Sequence, residues 1–440
     1  MKKIKTLLLF SAFLFIFFFS LTTKASAATY YVSPSGSGTA YTQTNPGSFK
    51  TALSIAQAGD TILLTDGTYQ DTSVSYTSYD SWLRAFSPAR SGMADNPITI
   101  RAVNALRAII TPPNSYYTTN YESTPNVASI GIDEKSYIVI DGLRVQGGIG
   151  IGGQDGGGVG NVIQNCEVTG GFVQGTDRSL HYGIVLAPGT SYNTVRNNYV
   201  HDINPVDGGN ESHNGGGIML LNVSGKTIHH NVIEYNTVDA ENLGTVFGTK
   251  GGGCNDNIWR YNFGKNASGS AFIEMGSTGG TTWDSFRNKI HNNVIINTPI
   301  FLEGYHSGSD WDIYNNTFYN SSNTNVIFFK ATWVGGNTPT DSRPCKNNNF
   351  HNNLAYNGSR GTDVECCALS AWQNVYYASS DYNQFYNYTN WYKANSTYGS
   401  LSTWSSSTGY DTHSSTNNPN FVNSSGTFSL SSDFKRSSLS

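Results

Sequence analysis

Apolar and polar positions recur along the chain in a short motif, an apolar residue followed three positions later by Asn. Seven segments spaced along the chain share the motif, and in six of the seven the next residue is apolar or aromatic. By subtraction, successive motifs lie 23 to 37 residues apart. Their Asn residues are Asn165, Asn198, Asn231, Asn262, Asn293, Asn316 and Asn353. A period of this length predicts a solenoid whose coils stack on one another.

Each repeat also carries a second apolar stretch, such as Gly217–Leu220 or Ala271–Ile273. Short strands joined by loops of variable length predict an all-β fold, the right-handed parallel β-helix solenoid. Coils would stack at roughly 4.8 Å, so that Asn at one point of every coil forms a hydrogen-bonded ladder. Asn also tolerates the left-handed backbone that a sharp turn between strands requires.

Outside the repeat, the chain divides into segments of different character. Residues 1–27 are basic, then apolar, then small, which predicts a cleaved secretory signal and an extracellular, secreted protein that no membrane retains. Residues 28–104 are expected to form an N-terminal cap and the first coils, with a short helix near Phe49–Ala56 over the open end of the core. Residues 105–395 form the β-helix body. The Ser/Thr-rich residues 396–440 are expected to form a tail or an incomplete last coil.

Charge and cysteine content argue against a nucleic-acid-binding protein and against a disulfide-rich scaffold. Only 13% of residues are charged and the formal net charge is −4, which argues against a nucleic-acid partner. We expect a monomer. The five Cys are odd in number and scattered, so they do not indicate a disulfide scaffold or a metal site. Cys166 and Cys254 are expected in the packed interior, and a bridge from Cys345 to Cys366 or Cys367 stays open.

Four stretches near the N-terminus carry a family resemblance: Tyr30–Ser33, Ala58–Ile62, Asn96–Ala102 and Tyr137–Gly142. With the repeat, they resemble the pectin-lyase-like superfamily. Within it, the chain is most similar to family nine pectate lyases and to the alginate lyase and chondroitinase B group, over about Ala28 to Asn357. The resemblance implies cleavage of an acidic polysaccharide by β-elimination, assisted by Ca²⁺.

Such chemistry needs a base to take the proton and a positive group to neutralise the uronate carboxylate. Ca²⁺ held by protein oxygen ligands can be that positive group. A lysine serves as the base when its surroundings lower its pKa. By the resemblance, Lys250 is the predicted base and Asp239, Glu241 and Asn242 are predicted calcium ligands. Asp207, Asn210 and Glu211 lie one coil earlier and complete the predicted set. The alternative is that these loops are solvated turns and that Lys250 is a surface lysine.

One position departs from the alginate lyase and chondroitinase pattern. Glu274 stands where that group carries Arg, which leaves the reaction open. The sequence aligns Glu274, Glu303 and Lys330 on one face of adjacent strands, with the two carboxylates roughly 5 Å apart, as in a retaining glycosidase. The alternatives are therefore a glycoside hydrolase that uses Glu274 and Glu303, a non-catalytic carbohydrate-binding β-helix, or a structural ion-pair ladder.

Two further groups of side chains are candidates for sugar contact. The first lies in loops near Glu303 and comprises Trp283, Tyr305, His306, Asp310, Trp311 and Asp312. The second is a column two positions before the repeating Asn, which we interpret as a solvated, stacked surface stripe rather than a catalytic one. Its members are Arg196, His229, Arg260, His291, Tyr314 and His351.

Overall fold

A computed structural model describes most of the chain from residue 26 to residue 421. The described ranges are 26–73, 84–111, 128–153, 156–169, 182–203, 216–222, 226–240, 245–275, 285–305, 308–320, 330–332, 346–358, 363–364, 376–393 and 396–421. The predicted signal segment 1–27 lies outside these ranges, except for its last two residues. So do Cys345, Cys366 and Cys367.

Three long sheets form the body, and the chain visits them in turn. We call them sheet 1, sheet 2 and sheet 3, in the order in which a coil passes through them. In all three, each strand pairs in parallel with the equivalent strand of the next coil, as in the pairs Val162–Gln164 with Thr194–Arg196 and Thr245–Lys250 with Ser270–Met275. This arrangement is the predicted right-handed parallel β-helix.

Sheet 1 has twelve described strands: Thr29–Val32, Thr61–Leu64, Ile98–Ala102, Ile138–Asp141, Val162–Gln164, Thr194–Arg196, Val232–Glu234, Ile258–Arg260, Lys289–His291, Asp312–Tyr314, Lys346–His351 and Tyr376–Asp381. Sheet 2 has eleven described strands: Gly67–Gln70, Ala108–Thr111, Arg144–Gln146, Glu167–Thr169, Tyr199–His201, Thr237–Asp239, Phe263–Lys265, Val294–Ile296, Thr317–Tyr319, Leu354–Gly358 and Gln384–Tyr388.

Sheet 3 has nine described strands: Arg84–Phe86, Ala128–Ile132, Ile149–Ile151, Tyr182–Leu186, Gly216–Leu221, Thr245–Lys250, Ser270–Met275, Ile300–Tyr305 and Lys330–Thr332. Short pairs join Ile228–His229 to Cys254–Asn255 and Ser285–Phe286 to Gly308–Ser309. A three-stranded sheet near the C-terminus contains Asp363–Val364, Trp391–Lys393 and Ser396–Tyr398.

The core is a set of apolar columns that run along the helix axis. In sheet 1, the inward position of each three-residue strand is apolar and buried, and the parallel register stacks it on its neighbours. This column runs through Ile62, Ile100, Ile140, Ile163, Val195, Ile233, Trp259, Ile290, Ile313 and Phe350. Cys166 and Cys254 are buried free thiols, as predicted, and burial raises the pKa of Cys166 to about 12.

Helices cover both ends of the described core. Helix α1, Phe49–Ile55, begins at the cap Ser48 and buries Phe49, Ala52 and Leu53 over the first coil, as predicted. Helix α2, Leu401–Thr408, begins with a capping box at Ser400 and buries Trp404 completely. The Trp404 indole donates to Asp411, whose own backbone amide donates to Ser380 of the last sheet 1 strand. Neither described helix is long and apolar enough to cross a membrane.

An Asn ladder occupies the corner between sheet 1 and sheet 2. Each Asn side chain uses both of its amide hydrogens and its oxygen. Asn262 Nδ2, for example, donates to Asn293 Oδ1 at 3.0 Å and to the Ile233 carbonyl at 2.9 Å, while its Oδ1 accepts from the backbone and side chain of Asn236. The ladder comprises Asn198, Asn236, Asn262, Asn293, Asn316, Asn353 and Asn383.

A second ladder, which the sequence analysis did not separate from the first, precedes sheet 1. It comprises Asn193, Asn231, Asn257 and Asn288, with Asn161 hydrogen-bonded to it. By subtraction, its members lie five residues before those of the first ladder. Two predicted assignments are therefore wrong: Asn231 belongs to this second ladder, with Asn236 in its place, and Cys166 rather than Asn165 stacks under Asn198.

The left-handed backbone occurs one residue before each ladder Asn rather than at the Asn itself. Tyr261 and Asn292 have φ of 55° and 56°, and Asp256 and Arg287 have φ of 57° and 55° at the second ladder. The turn residue therefore points outward while the following Asn is buried. This explains Asn165, whose φ is 55° and whose exposed side chain donates to Asp141.

Replacement of a ladder Asn is expected to destabilise the β-helix strongly. Asn293→Ala removes the partner of the Asn262 side chain and leaves the Trp259 carbonyl and the backbone amide of Asn262 without their bonds. We expect a loss of about 3 kcal/mol or more, measured as a lower urea midpoint by tryptophan fluorescence. The control Asn104→Ala removes one exposed bond to Asp66 and should change stability by less than about 0.5 kcal/mol. Equal midpoints for the two variants would contradict a stabilising ladder.

Candidate functional site

Sheet 3 differs from the other two sheets in its burial. Strands of sheets 1 and 2 alternate between buried and partly exposed positions, as in Val162–Gln164 or Thr194–Arg196. In sheet 3, the strands from Ala128 to Thr249 are buried at every position, so both faces of the sheet are covered. An apolar cluster lies on the outer face and comprises Tyr182, Val185, Met219, Leu221 and Ile273.

Lys250 is the exception to this burial. It ends the strand Thr245–Lys250 and is partly exposed, whereas the five residues before it are buried. Its register partners are Leu221 on one side and Met275 on the other. Because Leu221 belongs to the outer cluster, the register places Lys250 on the outer face of the sheet, at its carboxyl end. The predicted base is therefore the one described position in these strands where a charged group reaches solvent.

A glycine turn follows Lys250 and fixes the end of its strand. Gly251, Gly252 and Gly253 have φ of 101°, 68° and 71°. A Cβ atom at Gly251 would lie 1.7 Å from the carbonyl oxygen of Asn222, so no side chain fits there. The Asn222 amide in turn donates to the Lys250 carbonyl at 2.7 Å, and its Nδ2 donates to the Gly252 carbonyl at 2.7 Å.

The two predicted catalytic carboxylates do not share a register position. Glu274 pairs with Thr249 and Gly304, whereas Glu303 pairs with Ile273 and Lys330. The predicted alignment of Glu303 with Lys330 is confirmed, and the predicted alignment of Glu274 with Glu303 is wrong by one residue. A shift of one residue moves a position to the other face of a sheet, so the backbone register does not align the two residues as the sequence analysis predicted. Both side chains lie outside the described part of the structure.

Asp239, a predicted calcium ligand, is engaged in a buried ion pair. It ends a strand of sheet 2, not of sheet 3, and is only 5% exposed. One carboxylate oxygen accepts from Lys265 Nζ at 2.7 Å and the other accepts from Asn266 Nδ2 at 2.9 Å. The other predicted ligands, Glu241, Asn242, Asp207, Asn210 and Glu211, lie outside the described residues. Within the described ranges, no group of three or more His, Cys, Asp or Glu side chains is arranged to hold a metal ion.

Asp239 would have to leave Lys265 to bind calcium. The described residues thus do not fit a calcium site by themselves, and the ligand role of Asp239 stays a prediction.

Three buried hydroxyls on sheet 3 were not predicted. Tyr182, Thr245 and Ser270 occupy one register row, with Gly216 between the first two. Their oxygens are buried and have no hydrogen-bond partner among the described residues, and burial raises the pKa of Tyr182. Each unpaired buried hydroxyl costs about 1–3 kcal/mol, which a water molecule or a ligand group would recover. Only the three-dimensional register reveals the row, because nothing in the local sequence marks it.

Of the predicted loop residues near Glu303, the three that the structure describes with their side chains do not line an aromatic groove. Trp311 is 3% exposed and packs in the core, where its indole donates to the Ser285 carbonyl at 2.9 Å. Asp310 occupies a left-handed turn position, and Asp312 lies on the outer face of sheet 1, where it contacts His351. Trp283, His306 and the side chain of Tyr305 lie outside the described residues.

The predicted polar stripe exists on the outer face of sheet 1, with Glu234 in place of His229 and with Gln164 and Asp381 as additional members. His229 belongs to the short strand Ile228–His229, and Glu234 occupies the position predicted for it. Arg260 pairs with Glu234 at 2.7 Å, and His291, Tyr314 and His351 stack with interplanar angles of 2–3°. The stripe comprises Gln164, Arg196, Glu234, Arg260, His291, Tyr314, His351 and Asp381. These contacts support the interpretation of stacking and ion pairing.

Comparison with protein-family models finds no matching family, and comparison with curated proteins finds no match. Among solved structures, pectate lyase Pel9A is similar with a TM-score of 0.51 and 19% identity, over 81% of this chain and 82% of its own. An alginate lyase from Paenibacillus sp. str. FPU-7 has a TM-score of 0.42 and 17% identity, over 70% of this chain and 99% of its own. A GH136 lacto-N-biosidase from Eubacterium ramulus has a TM-score of 0.42 and 13% identity, over 76% of this chain and 64% of its own.

At such identities, the likeness to Pel9A concerns the fold. Together with the three parallel sheets and the resemblance in the sequence, it identifies the architecture. The chain has a right-handed parallel β-helix fold, which it shares with pectate lyase Pel9A.

Proposed function

We propose that the protein is an extracellular polysaccharide lyase that cleaves a uronic-acid-containing polysaccharide by β-elimination, with Lys250 as the base. The observation that carries the proposal is the position of Lys250. It is the partly exposed end of a strand whose preceding neighbour in sheet 3, Gly216–Leu221, is buried at every position. The fold shared with pectate lyase Pel9A and the sequence resemblance to polysaccharide lyases support the same reaction class.

The chemistry assigns one task to the lysine. Its neutral amine takes the proton from the carbon beside the uronate carboxylate, and the electron pair left behind forms a carbon–carbon double bond as the adjacent glycosidic C–O bond breaks. The leaving oxygen takes up a proton and becomes a hydroxyl. The fixed strand end and the glycine turn hold the backbone of Lys250 in place, so that the amine meets the substrate with little loss of conformational freedom.

A glycoside hydrolase that uses Glu274 and Glu303 is the second candidate function. The register argues against it, because the two residues are offset by one position on adjacent strands. A non-catalytic glycan-binding β-helix is the third. The three classes give different products: unsaturated uronates, new reducing ends without unsaturation, or no products at all.

Lys250→Ala is expected to abolish β-elimination. General base catalysis contributes about 10²–10⁴-fold to a rate, so the release of products that absorb in the ultraviolet band of unsaturated uronates should fall by at least about 100-fold. The substrates are polygalacturonate, alginate and glucuronan. The matched control is Lys289→Ala, which removes an exposed lysine from sheet 1 and should leave the rate unchanged. Full activity of Lys250→Ala would refute the assignment, and reducing ends that appear without unsaturation would favour the hydrolase.

Gly251→Ala is expected to impair both stability and activity. The new Cβ would overlap the Asn222 carbonyl, and the alanine backbone would have to keep a φ near 101°. The turn after Lys250 must therefore move. We expect a loss of about 2 kcal/mol or more, seen in the thermal midpoint, with a lower kcat. Gly409→Ala is the control, because its φ of 76° is also left-handed but no atom lies within 4 Å of the added Cβ. A Gly251→Ala variant no less stable than Gly409→Ala would show that the turn tolerates displacement.

Calcium dependence is part of the proposal and has a separate test. Removal of divalent cations with a chelator should abolish β-elimination, and added Ca²⁺ should restore it, because the uronate carboxylate must be neutralised before its neighbouring proton is acidic enough. Glu241→Gln should raise the Ca²⁺ concentration needed for half activity. Asp239→Asn should instead lower the thermal midpoint, since it leaves the amine of Lys265 without its carboxylate. Activity that is indifferent to chelator would remove calcium from the mechanism.

A further inference from the structure

A groove of about 500 Å³ lies at the corner between sheets 1 and 2, in the last coils of the described chain. Its volume falls within the roughly 300–1,000 Å³ of small-molecule sites. Ladder residues such as Asn353 lie at its base, and the turn residues Asn315, Asn352 and Tyr382 line it, together with His413. This corner carries the first Asn ladder, whereas Lys250 ends a strand of sheet 3, so the groove is separate from the candidate active site.

Tyr382 presents an aromatic face to this groove. Its side chain is 60% exposed, although its backbone is fixed in a left-handed turn with φ of 57°. His413 stacks on one face of the ring, with centroids 4.9 Å apart and an interplanar angle of 8°. Asp381 holds His413 in place through contacts of 2.6 Å to its backbone amide and to Nδ1. The stack on His413 therefore orients the ring, and 60% of the Tyr382 side chain stays exposed to a ligand.

The turn column supplies carboxamides beside that ring. Asn315 and Asn352 are exposed, and they occupy the same turn position as Tyr382 on the two preceding coils, at a spacing of roughly 4.8 Å per coil. Each carboxamide offers both donors and an acceptor, which suits vicinal hydroxyl groups. Asn352 Nδ2 lies 3.2 Å from Nδ1 of His351, a contact that orients its amide.

The charge of the groove selects an uncharged ligand. None of the described residues that line it is Lys or Arg, and the one basic group among them, His413, is paired with Asp381. The described lining therefore offers no available cation to a uronate carboxylate. The exposed Tyr382 ring and the two carboxamides lie in a groove whose described lining has no net positive charge. Such a surface suits the apolar face and the hydroxyl edge of a neutral pyranose.

We propose that this groove binds a neutral, hydroxyl-rich sugar unit of a glycan, separately from the catalytic chemistry on sheet 3. The proposal does not rest on the lyase function. A site of this kind would hold the protein on a neutral polysaccharide while sheet 3 acts on another chain.

The test is affinity electrophoresis of the mature protein in gels that contain arabinoxylan, mixed-linkage β-glucan or galactomannan, with polygalacturonate and alginate as acidic comparisons. We expect at least one neutral polymer to retard the protein, and Tyr382→Asn to weaken that binding about tenfold or more. Asn is the residue at the equivalent position of the two preceding coils and suits the left-handed turn, so this variant should fold. Equal thermal midpoints would verify that.

Tyr192→Asn is the matched control. Tyr192 is 57% exposed, has φ of 57° and stacks on His230, but it lies at the second ladder, away from the groove. Its replacement should leave the binding unchanged, and Lys250→Ala should leave it unchanged as well. The proposal is overturned if no neutral polymer retards the protein, if only the acidic polymers do, or if Tyr382→Asn binds as tightly as the parent.

Discussion

The in-register hydrogen bonding of buried Asn side chains is the interaction on which the rest of the structure depends. A coil must turn sharply twice to pass from sheet 3 through sheet 1 to sheet 2, and each turn leaves backbone amides inside the protein. The ladder Asn satisfies them: its oxygen accepts from the amide of the preceding coil, and its nitrogen donates both to the next Asn and to a carbonyl. Because the same side chain bonds to coils on both sides, the ladder also fixes the register of sheets 1 and 2, which meet at its corner.

This division of tasks leaves the three sheets with different roles. Sheet 1 is held between two ladders, and its outer face carries ion pairs and stacked rings such as Arg260 with Glu234 and His291 with Tyr314. Sheet 3 lies outside the ladder corners, and loops of variable length enter and leave it. The outer face of sheet 3 is apolar and buried, three of its hydroxyls have no hydrogen-bond partner among the described residues, and Lys250 reaches the surface. The ladders keep the coils aligned at the corners of sheet 1, while sheet 3 and its loops vary from coil to coil. A repeating scaffold can in this way carry one specific site.

Much of the fold could be predicted from sequence because stacking repeats one physical requirement many times. The apolar column, the buried Cys166 and Cys254 and the capping helix α1 followed from pattern alone. The ladder assignment failed at Asn231 because Ile228–Asn231 and Ile233–Asn236 present the same apolar-x-x-Asn pattern five residues apart. Only the hydrogen bonds decide which corner each one occupies.

The site was harder to predict, because it depends on the pairing of strands across loops of unequal length. The sequence between Glu274 and Glu303 does not determine how their two strands align. An error of one residue in the predicted alignment offsets the two positions along adjacent strands. Asp239 was predicted as a calcium ligand, but its carboxylate pairs with Lys265 of the next coil, a contact that only the strand register reveals. Trp311 has no local signal that separates an exposed sugar platform from a packed side chain, and it takes the second role.

The constant spacing between the two ladders has a consequence for cooperativity. Ladder partners lie 23 to 38 residues apart along the chain, while the two corners of one coil always lie five residues apart. Each coil therefore interacts with its neighbours through the same short arc, whatever the length of its loops. The molecule behaves as a linear array with nearest-neighbour coupling, in which unfolding begins at an end and proceeds coil by coil. A whole coil removed between equivalent Asn residues would leave two matching surfaces that rejoin in register, so the length of the helix can change without redesign of its core.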